Sequence, residues 1–378
     1  MKILHLARDE KFIDMGIRPF EALYPNCNEL LLIGDIKFFE CSVSIPSYIL
    51  SKRDLKKKSQ QLNFWKSIDV VIFHSLCAHD VTIPPGIKVI WLGFGFDYYN
   101  LIFLNNLDFF NKKTKEIVLK KNKQEKLKNH IKTLVKKITL RNYFTIKKRN
   151  KLIERVDFFC PVLTTEYQLI RWPVKDKPEL MDWNYGTMED DWAKNSALKL
   201  NGHNILLGNS STFSNNHIDM IDLLSKVASF NSKLIIPLSY GDKDCSQIVK
   251  EYATEHYPGE VFALDGFMKF DDYIKLISSC SIVIMGHKRQ QGLGNIITMI
   301  NLGAKVFLDV SNPIYEFLMS RGVTVFSLEE IYKPDFQVEL KESQIFNNRK
   351  ILLDIWGQDS ILNKTKKLIE CELNKVSK

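Results

Sequence analysis

Ser281-Ile282-Val283-Ile284-Met285, followed directly by Gly286-His287-Lys288-Arg289-Gln290-Gln291-Gly292-Leu293-Gly294-Asn295, reads as a buried strand that passes through a polar turn into a helix. A short apolar run without alternation suits a strand covered on both faces, as parallel sheets require. The same unit recurs on either side of it. Strands are expected at 204–208, 233–238, 260–264, 305–308 and 324–326, with helices near 217–230, 246–256, 270–279, 295–302 and 313–320. Strand–helix repetition on this scale predicts a doubly wound parallel sheet, whose ligands sit at the carboxyl ends of its strands.

The N-terminal half follows the same grammar with longer insertions, its strands expected at 2–7, 29–33, 70–74, 89–92 and 157–161. A chain of 378 residues with 45% hydrophobic content suits two domains of about 150–200 residues each. The expected fold class is therefore α/β and GT-B-like, two Rossmann-like doubly wound domains facing a central cleft. The expected divisions are an N-terminal domain 1–190 with a basic helical insertion at about 111–151, a C-terminal domain 191–340, and helices at 341–378 packing across the junction. The polar, mixed stretch 183–203 is read as that junction.

The net charge of +9 hides an asymmetry. Residues 111–151 hold sixteen Lys/Arg against Glu116 and Glu125, a local balance of +14 that leaves −5 on the rest of the chain. Ile117, Leu127, Ile131, Leu134, Val135 and Ile138 recur there at loosely helical spacing. Nucleic-acid binding would need aromatic residues interleaved with this charge, and the segment offers only Tyr143 and Phe144. The seven cysteines are scattered without a C-x-x-C pair, which argues for a reducing compartment and against a zinc or disulfide framework. Residues 1–10 hold too short an apolar run for a signal peptide. No window reaches about 18 uninterrupted apolar residues, so a soluble or peripheral protein is expected.

Three strand-end turns of the C-terminal half carry candidate chemistry. Gly208-Asn209-Ser210-Ser211-Thr212-Phe213-Ser214-Asn215-Asn216-His217 leaves a strand and enters a helix, with Ser214 or Asn215 the expected N-cap. Unpaired N–H groups and the dipole at such a helix start attract a diphosphate; the loop otherwise reads as a plain capped helix. In the turn 286–295, two glycines let backbone approach a ligand and Arg289 offers a forked donor to phosphate oxygens. Tyr240, in Pro237-Leu238-Ser239-Tyr240-Gly241, either stacks on a base or packs as a surface turn residue. In the N-terminal half His74 and Asp97, after Gly93-Phe94-Gly95-Phe96, end expected strands and are candidates to deprotonate an acceptor hydroxyl. Each also has a bland reading, a structural hydrogen-bonder and a turn or cap residue. Asp242-Lys243-Asp244 spells a D-x-D metal motif, but its place at a helix start favours capping, and no metal ligand is assigned.

Together these residues resemble the bacterial TDP-4-acetamido-4,6-dideoxygalactose:lipid II transferases of enterobacterial common antigen synthesis. The resemblance rests on I-L-L-G-N-S at 205–210, S-N-N-H at 214–217, P-L-S-Y at 237–240 and above all R-Q-Q-G-L-G at 289–294. Asn301-Leu302-Gly303-Ala304 and Asn312-Pro313 continue it, so that it covers about 204–318. In the N-terminal half it reaches only His74, Gly95 and Asp97, where a W-G-A-D-like tetrapeptide of the family is replaced by G-F-G-F-D.

The resemblance implies a GT-B glycosyltransferase of O-antigen or common-antigen synthesis. The donor would be a dTDP-linked 4-acetamido-4,6-dideoxyhexose, the acceptor a polyprenyl-diphosphate-linked glycan. Asn209, Ser210, Ser211, Asn215 and His217 would line the donor loop. Arg289, Gln290, Gln291, Gly292 and Gly294 would meet the diphosphate and sugar, and Tyr240 and Glu316 the nucleoside. Domain 1–190 would take the acceptor and 191–340 the nucleotide sugar, with no cofactor beyond the donor itself. The basic segment would hold the enzyme peripherally on the anionic cytoplasmic face of the inner membrane. A GT-B-like nucleotide-sugar epimerase and, last, a basic nucleic-acid-binding protein are the competing readings.

Overall fold

The computed structural model describes residues 1–36, 41–103, 105–128, 135–194, 198–227 and 232–371. The chain forms two compact units. The first comprises Met1–Phe103, Lys132–Asp191 and Ile355–Lys378; the second comprises Leu104–Ile131 and Trp192–Asp354.

The first unit is a wholly parallel sheet of β1 (Ile3–Ala7), β2 (Asn28–Ile33), β3 (Ser47–Leu50), β4 (Val70–His74), β5 (Lys88–Leu92), β6 (Phe158–Cys160) and β7 (Glu179–Leu180). Its order is β3-β2-β1-β4-β5-β6-β7, so the chain reverses direction across the sheet between β1 and β4. Every residue of β1 and β4 is buried, which is why both read as apolar runs. β3 and β7 were not expected: β3 is an exposed edge strand and β7 has two residues, so neither has an apolar run to read. Phe20, Phe158 and Trp183 pack with Leu368 and Ile369 in one apolar cluster.

The second unit repeats the plan with β8 (Asn204–Leu207), β9 (Leu234–Pro237), β10 (Val261–Leu264), β11 (Cys280–Met285), β12 (Lys305–Leu308) and β13 (Phe326–Ser327). These are parallel in the order β10-β9-β8-β11-β12-β13, with the reversal between β8 and β11. The expected strands recur within a residue or two, the last one shifted from 324–326 to β13. Both units are thus Rossmann-like, and the fold is GT-B.

The divisions differ from those expected. The basic segment is shared, helix Lys112–Lys128 lying mostly in the second unit and helix Val135–Arg155 in the first. Ile117 packs on the second unit's core; the side chains of Leu127, Ile131, Leu134, Val135 and Ile138 lie outside those described. Lys113 pairs with Asp222 at 2.5 Å, and Lys121 with Asp242 and Asp244 at 3.2 and 2.8 Å. Of the C-terminal helices, Glu342–Trp356 belongs largely to the second unit and Gln358–Glu370 to the first.

A buried string of polar side chains crosses β2, β1 and β4. Asn28 Oδ1 lies 3.1 Å from His5 Nε2, His5 Nδ1 lies 3.0 Å from His74 Nε2, and His74 Nδ1 lies 2.9 Å from Tyr185 Oη. One tautomer set satisfies all three: Tyr185 donates to His74, His74 to His5, and His5 to Asn28. Both imidazoles are neutral in that set. Burial holds His5 down at about 4, and burial followed by the neighbouring His5 holds His74 well below its ordinary value. This corrects the expectation that His74 is a base for an acceptor hydroxyl: it is fully buried and both its nitrogens are engaged.

Two outcomes follow from this packing. Ile284→Ala, in the fully buried centre of β11, should cost about 2–5 kcal/mol by denaturant unfolding. Because the folded chain refuses protons that the unfolded chain takes up, the histidines' contribution is complete above about pH 6.5. It should fall on the order of 1 kcal/mol per histidine per pH unit below that, ending near pH 4 for His5. Urea unfolding at pH 7.5, 6 and 5 measures it; equal midpoints would show that the string tolerates charge.

Candidate functional site

The turns after β8 and β11 meet at the second sheet's reversal point, where open α/β sheets bind ligands. Gln291 joins them. Its Nε2 lies 3.1 Å from Asn209 Oδ1, 3.3 Å from Ser210 Oγ and 3.0 Å from Thr212 Oγ1. Its Oε1 accepts from Ser214 Oγ at 2.8 Å and from Arg289 Nε at 3.1 Å. The neighbouring β9 turn joins the cluster through Asn209 Nδ2, which donates to Tyr240 Oη at 3.0 Å, and through Ser211 Oγ, which donates to the Tyr240 carbonyl at 2.8 Å. The Tyr240 ring itself stays 58% exposed. Asn209, Ser210, Ser211, Gln291, Arg289 and Tyr240 are thus brought together as one constellation.

Two residues expected to line the donor loop lie beneath it instead. Asn215 is fully buried; its Nδ2 lies within 3.3 Å of the Ser210 and Thr212 carbonyls and hydroxyls, and its Oδ1 accepts from Asn209 N. It closes the loop on itself. His217 is buried under Gly208, whose φ is +68° and where an added Cβ would stand 2.5 Å from His217 Nε2. Neither His217 nitrogen has a partner among the described residues, and burial pushes the ring down to about 3. The N-cap of helix His217–Ser225 is Asn216, in the left-handed conformation, rather than Ser214 or Asn215. Asn216 Nδ2 donates to the Gly286 carbonyl at 2.7 Å, a second tie between the two turns.

The glycines have separate causes. Gly292 has φ +66° and sits against the Asn209 side chain; Gly294 admits the Trp192 ring, 2.7 Å from where a Cβ would be. Gly292 is also the N-cap of helix Leu293–Leu302, so no side chain answers that helix's first N–H groups. Helices Lys243–His256 and Pro313–Met319, after β9 and β12, are by contrast capped by Asp242 and Asn312. Asp242 accepts from Cys245 N at 3.0 Å, the capping role read for the D-x-D triplet. Lys269 also opens its helix, Phe270–Ile277, without a side-chain cap, after the edge strand β10.

Lys288, Arg289, Gln290, Gln291 and Gly292 are half-buried, and the Arg289 guanidinium lies over the Phe109 ring at 5.7 Å. Glu316 is exposed on helix Pro313–Met319, and among the described residues no hydrogen bond joins it to the cluster. Thr212, Ser214, Asn216 and Asn312 were missed as participants. Asn312 Nδ2 reaches the His287 ring and carbonyl at 2.7 and 2.8 Å, and His287 is buried beside the cluster with its own value pushed down to about 3, chiefly by burial.

In the first unit Asp97 follows β5. Its carboxylate accepts from Leu76 N at 3.1 Å, Trp91 Nε1 at 2.7 Å and Phe94 N at 2.9 Å, and burial raises its proton affinity against those bonds. It also lines a cavity of about 360 Å³. Asp97, unlike His74, therefore faces a space that a substrate can enter.

Residues 170–355 match the family model described as 4-alpha-L-fucosyltransferase, glycosyl transferase group 56. Among solved structures, Anabaena HepE in complex with UDP and glucose is similar with a TM-score of 0.63 at 11% identity, over 98% of this chain and 100% of that one. Sucrose-phosphate synthase from Thermosynechococcus elongatus gives 0.60 at 9% identity, over 98% of each chain. WaaG, a glycosyltransferase involved in lipopolysaccharide biosynthesis, gives 0.57 at 11%, over 98% of this chain and 100% of that one. At such identities the structures speak for the shared GT-B fold, and the family match adds the chemistry: together they support a glycosyltransferase.

Proposed function

We propose that the protein transfers a 6-deoxyhexose, specifically a 4-acetamido-4,6-dideoxyhexose, from a dTDP donor to a polyprenyl-diphosphate-linked glycan of bacterial surface polysaccharide. The observation that carries the reading is the single hydrogen-bonded constellation formed by the β8 and β11 turns, with Arg289 and an uncapped helix start at its half-buried face. Fucose is itself a 6-deoxyhexose, so the matched family's description agrees with the sugar class that the sequence resemblance implies. HepE's complex with UDP and WaaG's place in lipopolysaccharide biosynthesis are consistent with a nucleotide donor and a surface-glycan product.

In this mechanism the acceptor oxygen attacks the anomeric carbon. The bond from that carbon to the diphosphate oxygen breaks, and the nucleoside diphosphate leaves with the electron pair. Arg289 and the N–H groups at the start of helix Leu293–Leu302 receive the growing negative charge. Gln291 holds Arg289 and the β8 turn in register. Asp97 accepts the acceptor's proton, a role helped by the burial that raises its affinity. Tyr240 offers its exposed ring to the base, and Glu316 the carboxylate for the ribose. The lysines of 111–151 that are not paired to Asp80, Asp222, Asp242 or Asp244 would meet an anionic membrane face. No helix among the described residues is long and apolar enough to cross a membrane.

Arg289→Ala should lower transfer about 100-fold or more while the melting temperature stays near wild type; near-normal transfer would remove the donor site from this turn. In a thermal-shift series, dTDP should stabilise the protein more than UDP, GDP or CMP. Gln291→Ala should abolish that shift. Equal shifts for all four, or a dTDP shift untouched by Gln291→Ala, would contradict the donor assignment.

A further inference from the structure

The cavity beside Asp97 lies at the reversal point of the first sheet. Arg8 follows β1, Leu76 and His79 follow β4, and Arg149 comes from helix Val135–Arg155. Its two arginines differ from the acid-paired Arg18 and Arg155 of the same unit. Arg18 is neutralised by Asp14, Asp190 and Asp191, and Arg155 by Asp157. Arg8 and Arg149 form no salt bridge among the described residues; Asp80 is taken by Lys148 at 2.6 Å, and Glu10 feels the field of Arg8 without forming an ion pair with it. The Nε atoms of both are buried without a partner, although Arg8 Nη2 is held by the Cys77 carbonyl at 2.9 Å. Burying a cation without a counter-charge is costly, and here two face one space. Burial, and then the fields of Arg149 and Arg8, lower the proton affinity of His79, which leaves it a neutral hydrogen-bonding group.

We propose that this cavity binds an oxyanion carried by the acceptor sugar, a phosphate on a hexose, with Arg8 and Arg149 as its counter-charges. The assignment rests on the acceptor reading above and deepens it. Paired guanidinium groups match phosphate oxygens in geometry as well as charge. Asp97 also lines the cavity and would repel the anion, so in this proposal the phosphate pairs with the arginines and a sugar hydroxyl meets the carboxylate. About 360 Å³ falls within the range of small-molecule sites, large enough for one phosphorylated hexose. The exposed ring of Phe96 and the side chain of Ile146 border it and offer apolar surface to a sugar face.

The test uses the full chain without donor, with glucose 1-phosphate and glucose as probes in calorimetric titrations. Glucose 1-phosphate should bind at least tenfold more tightly than glucose. Arg149→Gln and Arg8→Gln should each weaken it at least tenfold, while Arg289→Ala leaves it unchanged. Should Arg8→Gln fail to fold, Arg149→Gln with Arg149→Lys as partial rescue decides alone. Equal binding of the two sugars, indifference to the Arg149 change, or loss on Arg289→Ala would each overturn the proposal. Competition by phosphatidylglycerol vesicles, absent with phosphatidylcholine and lost in Arg149→Gln, would overturn it in favour of a lipid headgroup. The two readings separate cleanly. A missing nucleotide shift with intact glucose 1-phosphate binding refutes glycosyl transfer alone; the reverse pattern refutes this site alone.

Discussion

The amide of Gln291 is the point on which the second unit's ligand-facing surface depends. Backbone pairing between β8 and β11 stops at Leu207 and Ile284, and beyond it two polar turns must find partners or be solvated. Gln291 answers the β8 turn with its nitrogen and its own turn's Arg289 with its oxygen. A single amide can do both because it carries donor and acceptor on one rigid plane. Asn215 and Asn216 act similarly from below, one folding the β8 turn and the other bridging to Gly286. The result is a loop pair whose side chains are largely satisfied by one another, with Arg289 and the start of helix Leu293–Leu302 at its half-buried face.

The two units show the same topological logic with opposite chemistry at their reversal points. Between β8 and β11 the turns are amide- and hydroxyl-rich, and the positive charge comes from Lys288, Arg289 and a helix start. Between β1 and β4 the space is lined by two arginines without salt bridges among the described residues and by the Asp97 carboxylate. A group-transfer enzyme needs such an asymmetry. In the proposed transfer one site would stabilise a departing anion and the other would take up a proton.

The sequence made the central strands legible for a plain reason. A parallel strand buried on both faces has no polar alternation, so S-I-V-I-M at β11 and V-V-I-F-H at β4 stand out. β3 and β7 could not be read, since an exposed edge and a two-residue strand leave no run. The turns were legible as places of chemistry but not in their orientation. Asn209 and Asn215 are both amides in one loop, yet one reaches toward Gln291 and the other turns inward. That choice is set by a partner 82 positions away. Arg8 and Arg149 belong to no motif and are separated by 141 positions, so only the folded β1 and β4 ends reveal their shared cavity.

The discontinuity of the first unit carries a consequence for biosynthesis. Its sheet is complete by Leu180, yet Leu368 and Ile369 from the far end of the chain pack into its apolar cluster. Trp183 Nε1 donates to Thr365 Oγ1, and Lys88 Nζ donates to the carbonyls of Ile369 and Cys371. During translation the whole second unit must emerge before that cluster is sealed. The nascent N-terminal sheet therefore keeps apolar surface uncovered until the last helix arrives, and a premature stop after the second unit would leave that surface open.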